Sequence, residues 1–228
     1  MSFIINFKEE DAFASALENF KSICGYKPES EKHQRMHASG LEIRELGVHG
    51  IDIKAIVSEY DASVLHEDAV EIDGVRLSCE ALSSLDREKV KKVIFYIMTV
   101  DGCACESEEL MDRLYADLWG TAYVNSGFEL LRKEVEKRYI GENKEKLELS
   151  DAFGPGYYGM PTEEMKNFFE IFNASEIGIK LYPSGVMVPV KSCVGFLVVI
   201  EKGAKMPDEH CKHCAGNSKG CTMCVHRM

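Results

Sequence analysis

The positions of the apolar residues predict a strand and then a helix at the start of the chain. Residues 2–7 (SFIINF) are mostly apolar and β-prone, so we expect a short strand. Residues 9–24 place apolar side chains on one face of a helix, and Gly25 would end it. That face consists of Phe13, Leu17, Phe20 and Cys24.

The pattern is less regular over the next forty residues. Residues 26–38 are polar and include Pro28, which predicts a loop. Residues 41–46 predict a short helix that Gly47 ends, and residues 52–66 predict a longer helix. The predicted buried side of the longer helix consists of Ile53, Ile56, Val57 and Tyr60.

The middle of the chain carries the clearest strand signals. Asp73-Gly74 between short β-prone runs predicts a hairpin over residues 70–77. Residues 93–100 are apolar almost throughout, as in a strand covered on both faces. Helices should follow on either side of Gly120, with residues 122–139 as the second. Its charged positions over 132–138, beginning with Arg132, are expected to be solvated.

A loop dense in glycine and proline opens the last third of the chain. Three of the eighteen glycines and two of the six prolines lie within residues 154–161. Such a loop can take positive φ and approach a ligand closely, or can simply join two elements. A helix should follow Pro161. Strands are expected at 177–181, 185–189 and 192–200, so the fold class is α+β with antiparallel strands.

Charge and composition exclude some classes of function. The 228 residues carry a formal net charge of −11, which argues against a nucleic-acid-binding protein. Residues 202–228 carry +3, so the rest carries −14. The first residues lack a basic start and a long apolar run, and no segment is long enough to span a bilayer. We therefore expect a cytoplasmic protein without membrane partners.

Four of the nine cysteines crowd into the last eighteen residues of the chain as CxxC-x6-CxxC. Four thiolates at this spacing suit zinc or an iron–sulfur cluster, and the spacing does not distinguish the two. The predicted metal ligands are Cys211, Cys214, Cys221 and Cys224. An unligated tail with reactive thiols is the alternative.

Two further groups could carry chemistry. Cys103 and Cys105 form a CxC turn before a helix, whose amino terminus would lower a thiol pKa. They could be redox-active, ligate a metal, or be small residues in a tight turn. His33 and His37 are four residues apart, but no third ligand is close in sequence, so a solvated pair is favoured.

Three stretches make the chain similar to the reactivation domain of cobalamin-dependent methionine synthase, including its stand-alone bacterial relatives. They are Leu46-Gly47-Val48-His49-Gly50, Ile94 to Gly102 with the helices through Gly120 and Val124, and Gly156-Tyr157 leading to Pro161. The third continues through Ile177 to Leu181, Met187-Val188-Pro189 and Lys191-Ser192. The likeness covers about residues 41–200.

The resemblance implies a twisted antiparallel sheet flanked by helices, and S-adenosylmethionine bound at the glycine-rich loop. The implied cofactor-binding residues are Gly154, Gly156, Tyr157 and Tyr158. Two positions depart from the family. Ala152 stands where the family has an arginine that holds the methionyl carboxylate, and Leu197 stands where full-length enzymes have a tyrosine. Both changes leave use of S-adenosylmethionine open.

The resemblance also implies a function. The protein would help to reactivate a corrinoid protein or methyltransferase by delivering an electron to cob(II)alamin, the cobalamin being supplied by that partner. A flavodoxin or ferredoxin would be the electron donor. The alternative is a zinc-stabilised interaction scaffold that has lost S-adenosylmethionine binding. A third option is a thiol redox protein that uses Cys103 and Cys105. We expect three parts: residues 1–40 as an extension, 41–204 as the main domain and 205–228 as the metal-binding tail.

Overall fold

The computed structural model describes residues 2–48, 50–103, 105 and 107–207. The strands are β1 (Ser2–Phe7), β2 (Asp52–Asp61), β3 (Ala69–Ile72), β4 (Val75–Ser78), β5 (Val90–Asp101), β6 (Leu147–Leu149), β7 (Lys180–Leu181), β8 (Met187–Val188) and β9 (Ser192–Glu201). The helices are α1 (Glu9–Ile23), α2 (Glu31–Gly47), α3 (Leu110–Tyr139) and α4 (Met165–Ile171). The cysteines predicted to bind metal lie outside the described residues.

Five strands form one antiparallel sheet in the order β1-β2-β5-β9-β6. The hairpins β3–β4 and β7–β8 form two small sheets beside it. The α+β class with an antiparallel sheet flanked by helices is therefore confirmed, as are the strands expected at 2–7, 93–100 and 192–200. No helix in the described part of the chain combines the length and apolar character needed to cross a membrane.

The sheet separates two apolar cores. Along β5, Ile94, Tyr96 and Met98 belong to the core under the helices, which we call the helix-side core. Phe95 and Ile97 alternate with them and belong to the opposite core, which we call the loop-side core. Because both faces are covered, residues 93–100 of β5 are apolar almost throughout, as the sequence indicated.

The helix predicted over residues 52–66 is wrong. This segment is β2, paired with β1 on one side and β5 on the other. Ile53 and Val57 face the helix-side core while Ile56 faces the loop-side core. A central strand buried on both faces lacks the polar alternation that marks a strand, and its apolar spacing resembled a helix by coincidence.

Two further expectations about the helices are wrong. Residues 31–38 do not form a loop but the start of α2, where the Ser30 hydroxyl accepts from the His33 N–H at 3.4 Å. Gly120 does not interrupt α3, which runs through thirty residues. A Cβ at Gly120 would lie 2.9 Å from Lys191 Cε and 3.1 Å from Cys103 Cβ, so this glycine permits close packing within a continuous helix.

The division at residue 40 stays a prediction. Residue 40 lies inside α2, and β1 pairs with β2 over six residues. The indole N–H of Trp119 on α3 donates to the Gly40 carbonyl at 2.7 Å. The amino-terminal residues thus share the main sheet and the helix-side core.

Candidate ligand site

Residues 151–161, here called the ligand loop, lie along the outer side of β9. The Phe153 N–H donates to the Phe196 carbonyl at 2.9 Å, and the Phe196 N–H donates back at 2.8 Å. The Phe153 and Phe196 rings stack with centroids 5.0 Å apart. The loop therefore begins as a continuation of the sheet edge that β6 starts.

Two glycines allow the loop to approach β9 this closely. A Cβ at Gly154 would lie 2.8 Å from the Val194 carbonyl oxygen. A Cβ at Gly195 would overlap the Phe153 carbonyl oxygen and lie 2.9 Å from the Tyr96 hydroxyl. Gly154 is itself buried. The close contact with β9 thus accounts for glycine at position 154. A role for Gly154 in ligand binding stays a prediction.

The tip of the loop is a tight turn that faces solvent. Gly156 has φ +85°, and its N–H donates to the Met160 carbonyl at 2.9 Å. The Tyr157 N–H donates to the Gly154 carbonyl at 2.9 Å, closing the turn. Tyr157 is 58% exposed. Among the predicted ligand residues, Gly156 and Tyr157 are the ones on the open surface of the loop.

Tyr158 has a different role from its neighbour. Its hydroxyl donates to Asp151 Oδ2 at 3.1 Å, and its ring packs on Phe153 with centroids 4.8 Å apart. Its carbonyl accepts the Ala81 N–H at 3.3 Å. These contacts attach the loop to the segment after β4 and explain how Tyr158 is held at φ +55°.

Neither departure from the family pattern adds a polar group to the site. Ala152 is half-buried against the helix-side core, and Leu197 is fully buried in that core. Arg132, by contrast, is a residue that sequence reasoning missed. Its guanidinium donates to the carbonyls of Ser150 at 2.6 Å and Leu149 at 2.9 Å.

The expectation that Arg132 is merely solvated is therefore wrong. The guanidinium holds the segment leading into the ligand loop against α3. No local pattern marks such a residue, because its partners are backbone carbonyls 17 and 18 residues away.

Uncharged groups lie beneath the loop. Burial raises the pKa of Tyr96 well above its ordinary value, nearby Cys193 and Tyr157 add to this, and Arg132 opposes it. Burial also raises the pKa of the Cys193 thiol to about 12. At neutral pH, strands β5 and β9 therefore carry a neutral phenol at Tyr96 and a neutral thiol at Cys193.

The expected lowering of the Cys103 pKa by a helix terminus is wrong. Burial raises the pKa of Cys103 to about 12, although nearby Lys191 opposes the rise. The hydrogen bonds of the Lys191 ammonium go to Asp117 at 2.7 Å and to Thr121 at 2.9 Å, and not to the Cys103 thiol. Cys103 lies beside Gly120 in the body of α3, which begins ten residues earlier at Leu110, and a helix terminus acts only within its first turn. This environment does not favour a reactive thiolate.

Within the described residues, no three histidine, cysteine or acidic side chains are grouped so that they could hold a metal ion. His33 and His37 line a cavity together with Cys24. The His33 Nδ1 accepts from the Lys27 N–H at 3.1 Å. The His37 Nε2 is buried without a hydrogen-bond partner, so the expected solvated pair is wrong for His37.

Comparisons with known proteins bear on the fold. No family model matches the sequence, and no curated protein matches it. Among solved structures, the chain is similar to the crystal structure of the MetH reactivation domain bound to AdoHcy. The two are 13% identical with a TM-score of 0.55, and the match covers 96% of this chain and 86% of that one. The chain therefore has the fold of that reactivation domain.

Proposed function

We propose that this protein assists the reductive reactivation of a corrinoid protein or corrinoid methyltransferase. The ligand loop is the observation that supports this most. It is fixed to β9 by paired backbone bonds, and its Gly156-Tyr157 tip is open to solvent. The neighbour with the same fold is a reactivation domain that was crystallised with AdoHcy.

The ligand expected at the loop belongs to the S-adenosylmethionine class. The exposed Tyr157 ring offers a flat face to an adenine ring, and backbone near Gly156 is open to ligand approach. Ala152 cannot bind a carboxylate, so the methionyl end lacks the guanidinium that the family resemblance leads us to expect. We therefore propose weak binding of S-adenosylmethionine by the natural chain.

Calorimetry on an Ala152→Arg variant tests this site. A guanidinium at residue 152 should tighten S-adenosylmethionine binding by about 10- to 100-fold, as expected for a charge-assisted bond to a carboxylate. Ala152→Met is the matched control, since it adds similar bulk without charge and should not tighten binding. Equal affinities for the natural chain and both variants, or no detectable binding by any of them, would contradict a ligand site at this loop.

The tail cysteines are proposed to hold the metal centre. Four cysteine thiolates suit either an iron–sulfur cluster or zinc. An iron–sulfur cluster would supply an electron at the low potential that cob(II)alamin reduction requires. Cobalamin would come with the partner, and a flavodoxin or ferredoxin would reduce this protein.

Lys205 and Met206, which precede the cysteines proposed to bind metal, lie beside the loop-side core. The Lys205 N–H donates to Asp86 Oδ2 at 3.0 Å, and the Asp86 N–H donates to the Lys205 carbonyl at 3.0 Å. Met206 packs against the loop-side core, as does Tyr158 of the ligand loop. Cys103 and Cys105 pack against the helix-side core, across the sheet. These contacts support a tail whose described first residues join the fold at the loop-side core.

Metal and sulfide analysis of anaerobically purified protein, with EPR of the reduced form, tests the redox part. Iron and sulfide that disappear when the four tail cysteines are changed to serine would support electron delivery. Reduction of cob(II)alamin on a purified corrinoid-binding domain, followed by absorbance, would then measure the activity. Stoichiometric zinc without iron would overturn the electron-delivery role.

A zinc-stabilised interaction scaffold is the second candidate. Ala152 and the fully buried Leu197 favour it, because neither supplies a polar contact to a ligand. This candidate predicts zinc in the purified protein and a melting temperature that S-adenosylmethionine does not change. Binding of S-adenosylmethionine that is strengthened by Ala152→Arg would exclude it.

A further inference from the structure

The two edges of the main sheet are protected to different degrees. Strand β6 has three residues, carries Glu148 at its centre and follows the charged run 142–146. Short length and charge are common means of keeping an edge strand from pairing with another chain. Strand β1 has neither, since its six residues SFIINF include no charge and no proline. Its register with β2 is also regular over all six positions.

The two faces of β1 also differ in how much of them is covered. Phe3 and Ile5 pack against the helix-side core, and the Arg138 guanidinium lies 3.9 Å from the Phe3 ring centroid. Ser2, Ile4 and Asn6 alternate with them and are exposed. Ile4, near the centre of the strand, is 43% exposed although its β2 neighbour Ile56 is buried. Within the described residues, the outer edge of β1 thus leaves backbone N–H and C=O groups without a strand partner, and the centre of its outward face is apolar and exposed.

We propose that β1 pairs antiparallel with β1 of a second copy of this chain, about a two-fold axis at Ile4. Residues directly opposite in an antiparallel pair lie on the same face. The pairing therefore places Ile4 against the partner's Ile4, and Ser2 against the partner's Asn6. The result is one continuous sheet of ten strands.

A second copy suits this edge because the strand is complementary to itself. Its exposed apolar residue meets its own counterpart, neutral polar residues flank that contact, and no like charges oppose one another. The ligand loop lies at the opposite edge of the sheet, along β9 and in line with β6. Dimer formation would leave both ligand loops open, so this inference does not depend on the proposed function.

Sedimentation velocity across the micromolar range tests the proposal. A six-residue strand pair is near the lower end of stable interface sizes, so the dimer should dissociate on dilution. Ile4→Lys would place two ammonium groups opposite each other and should raise the dimer Kd by about tenfold or more. Val190→Lys is the matched control, because Val190 is 68% exposed but precedes β9, and its Kd should match the natural chain.

Hydrogen exchange identifies the surface directly. Every second amide of β1 should point to the outer edge, so these amides should be protected in the natural chain and exchange rapidly in Ile4→Lys. Should Ile4→Lys fail to fold, Asn6→Lys introduces a charge at the same edge and should also favour the monomer. A natural chain that is monomeric throughout, a dimer that persists in both β1 variants, or a dimer broken by Val190→Lys would overturn the proposal.

Discussion

Replacing Gly195 by alanine should detach the ligand loop from β9. The added Cβ would overlap the Phe153 carbonyl oxygen and lie 2.9 Å from the Tyr96 hydroxyl. A carbon–oxygen contact needs about 3.3–3.6 Å, so the loop must move on the order of 1 Å. Gly195 is not among the glycines with positive φ, so the effect reports a contact and not backbone strain.

The magnitude follows from what that movement disrupts. Two backbone hydrogen bonds join Phe153 and Phe196, and each contributes about 1 kcal/mol. Phe153 is 1% exposed, and partly uncovering its ring costs about 1–3 kcal/mol more. We therefore expect the free energy of unfolding to fall by about 3–5 kcal/mol. This exceeds the usual loss of about 1–3 kcal/mol at overpacked sites, because backbone hydrogen bonds are lost as well.

Urea unfolding followed by circular dichroism measures this loss as a lower midpoint with an unchanged m-value. Tyr96→Phe is the companion variant, since it removes the hydroxyl but leaves the Phe153 carbonyl in place. The double variant should recover only a small part of the loss, because the backbone contact remains. A loss below about 1 kcal/mol for Gly195→Ala, or full recovery in the double variant, would refute this account of the loop.

Three further predictions concern thiols, the loop entry and pH. Cys103 and Cys193, with pKa raised to about 12, should be thiolate in only about one molecule in ten thousand at pH 8, so iodoacetamide should label them much more slowly in the native protein than after unfolding. Labelling of native protein at the rate of a free thiol would contradict the raised pKa values and would favour the thiol redox function. Arg132→Met should lower the unfolding free energy by about 1–3 kcal/mol, and Arg132→Lys by less, because one carbonyl can keep a charged donor; equal losses would show that charge at this position is irrelevant. Burial lowers the pKa of His37, Lys21 adds to this, and Glu18 opposes it. The unfolded chain then binds a proton more readily, so stability should fall as pH drops through about 6.5, and His37→Phe should flatten that fall; identical pH profiles would show that His37 is not the group responsible.

Sequence reasoning succeeded where local pattern and final environment agree. Asp73-Gly74 specifies its hairpin through turn geometry, and the apolar run at 93–100 needs no knowledge of its partners to be read as a buried strand. Helix α1 was also recognised, since one of its faces packs and the other is solvated. The glycine-rich loop was identified from composition alone.

Other features depend on residues far away in the sequence, so only the tertiary structure shows them. Residues 52–61 form strand β2 because β1 and β5 pair with them on both sides. Their apolar residues are nevertheless spaced as in a helix. Gly120 lies within a continuous helix, where the absence of a side chain lets Lys191 pack against it.

The ligand loop shows the same division. The glycines and prolines of residues 154–161 specify a rigid turn with two adjacent tyrosines, whatever surrounds it. Contacts of Tyr158 with Asp151 and Phe153 turned that ring inward, while Tyr157 was left exposed. Turn formation depends on φ preferences of neighbouring residues, whereas the direction of each ring depends on what the rest of the chain places beside it.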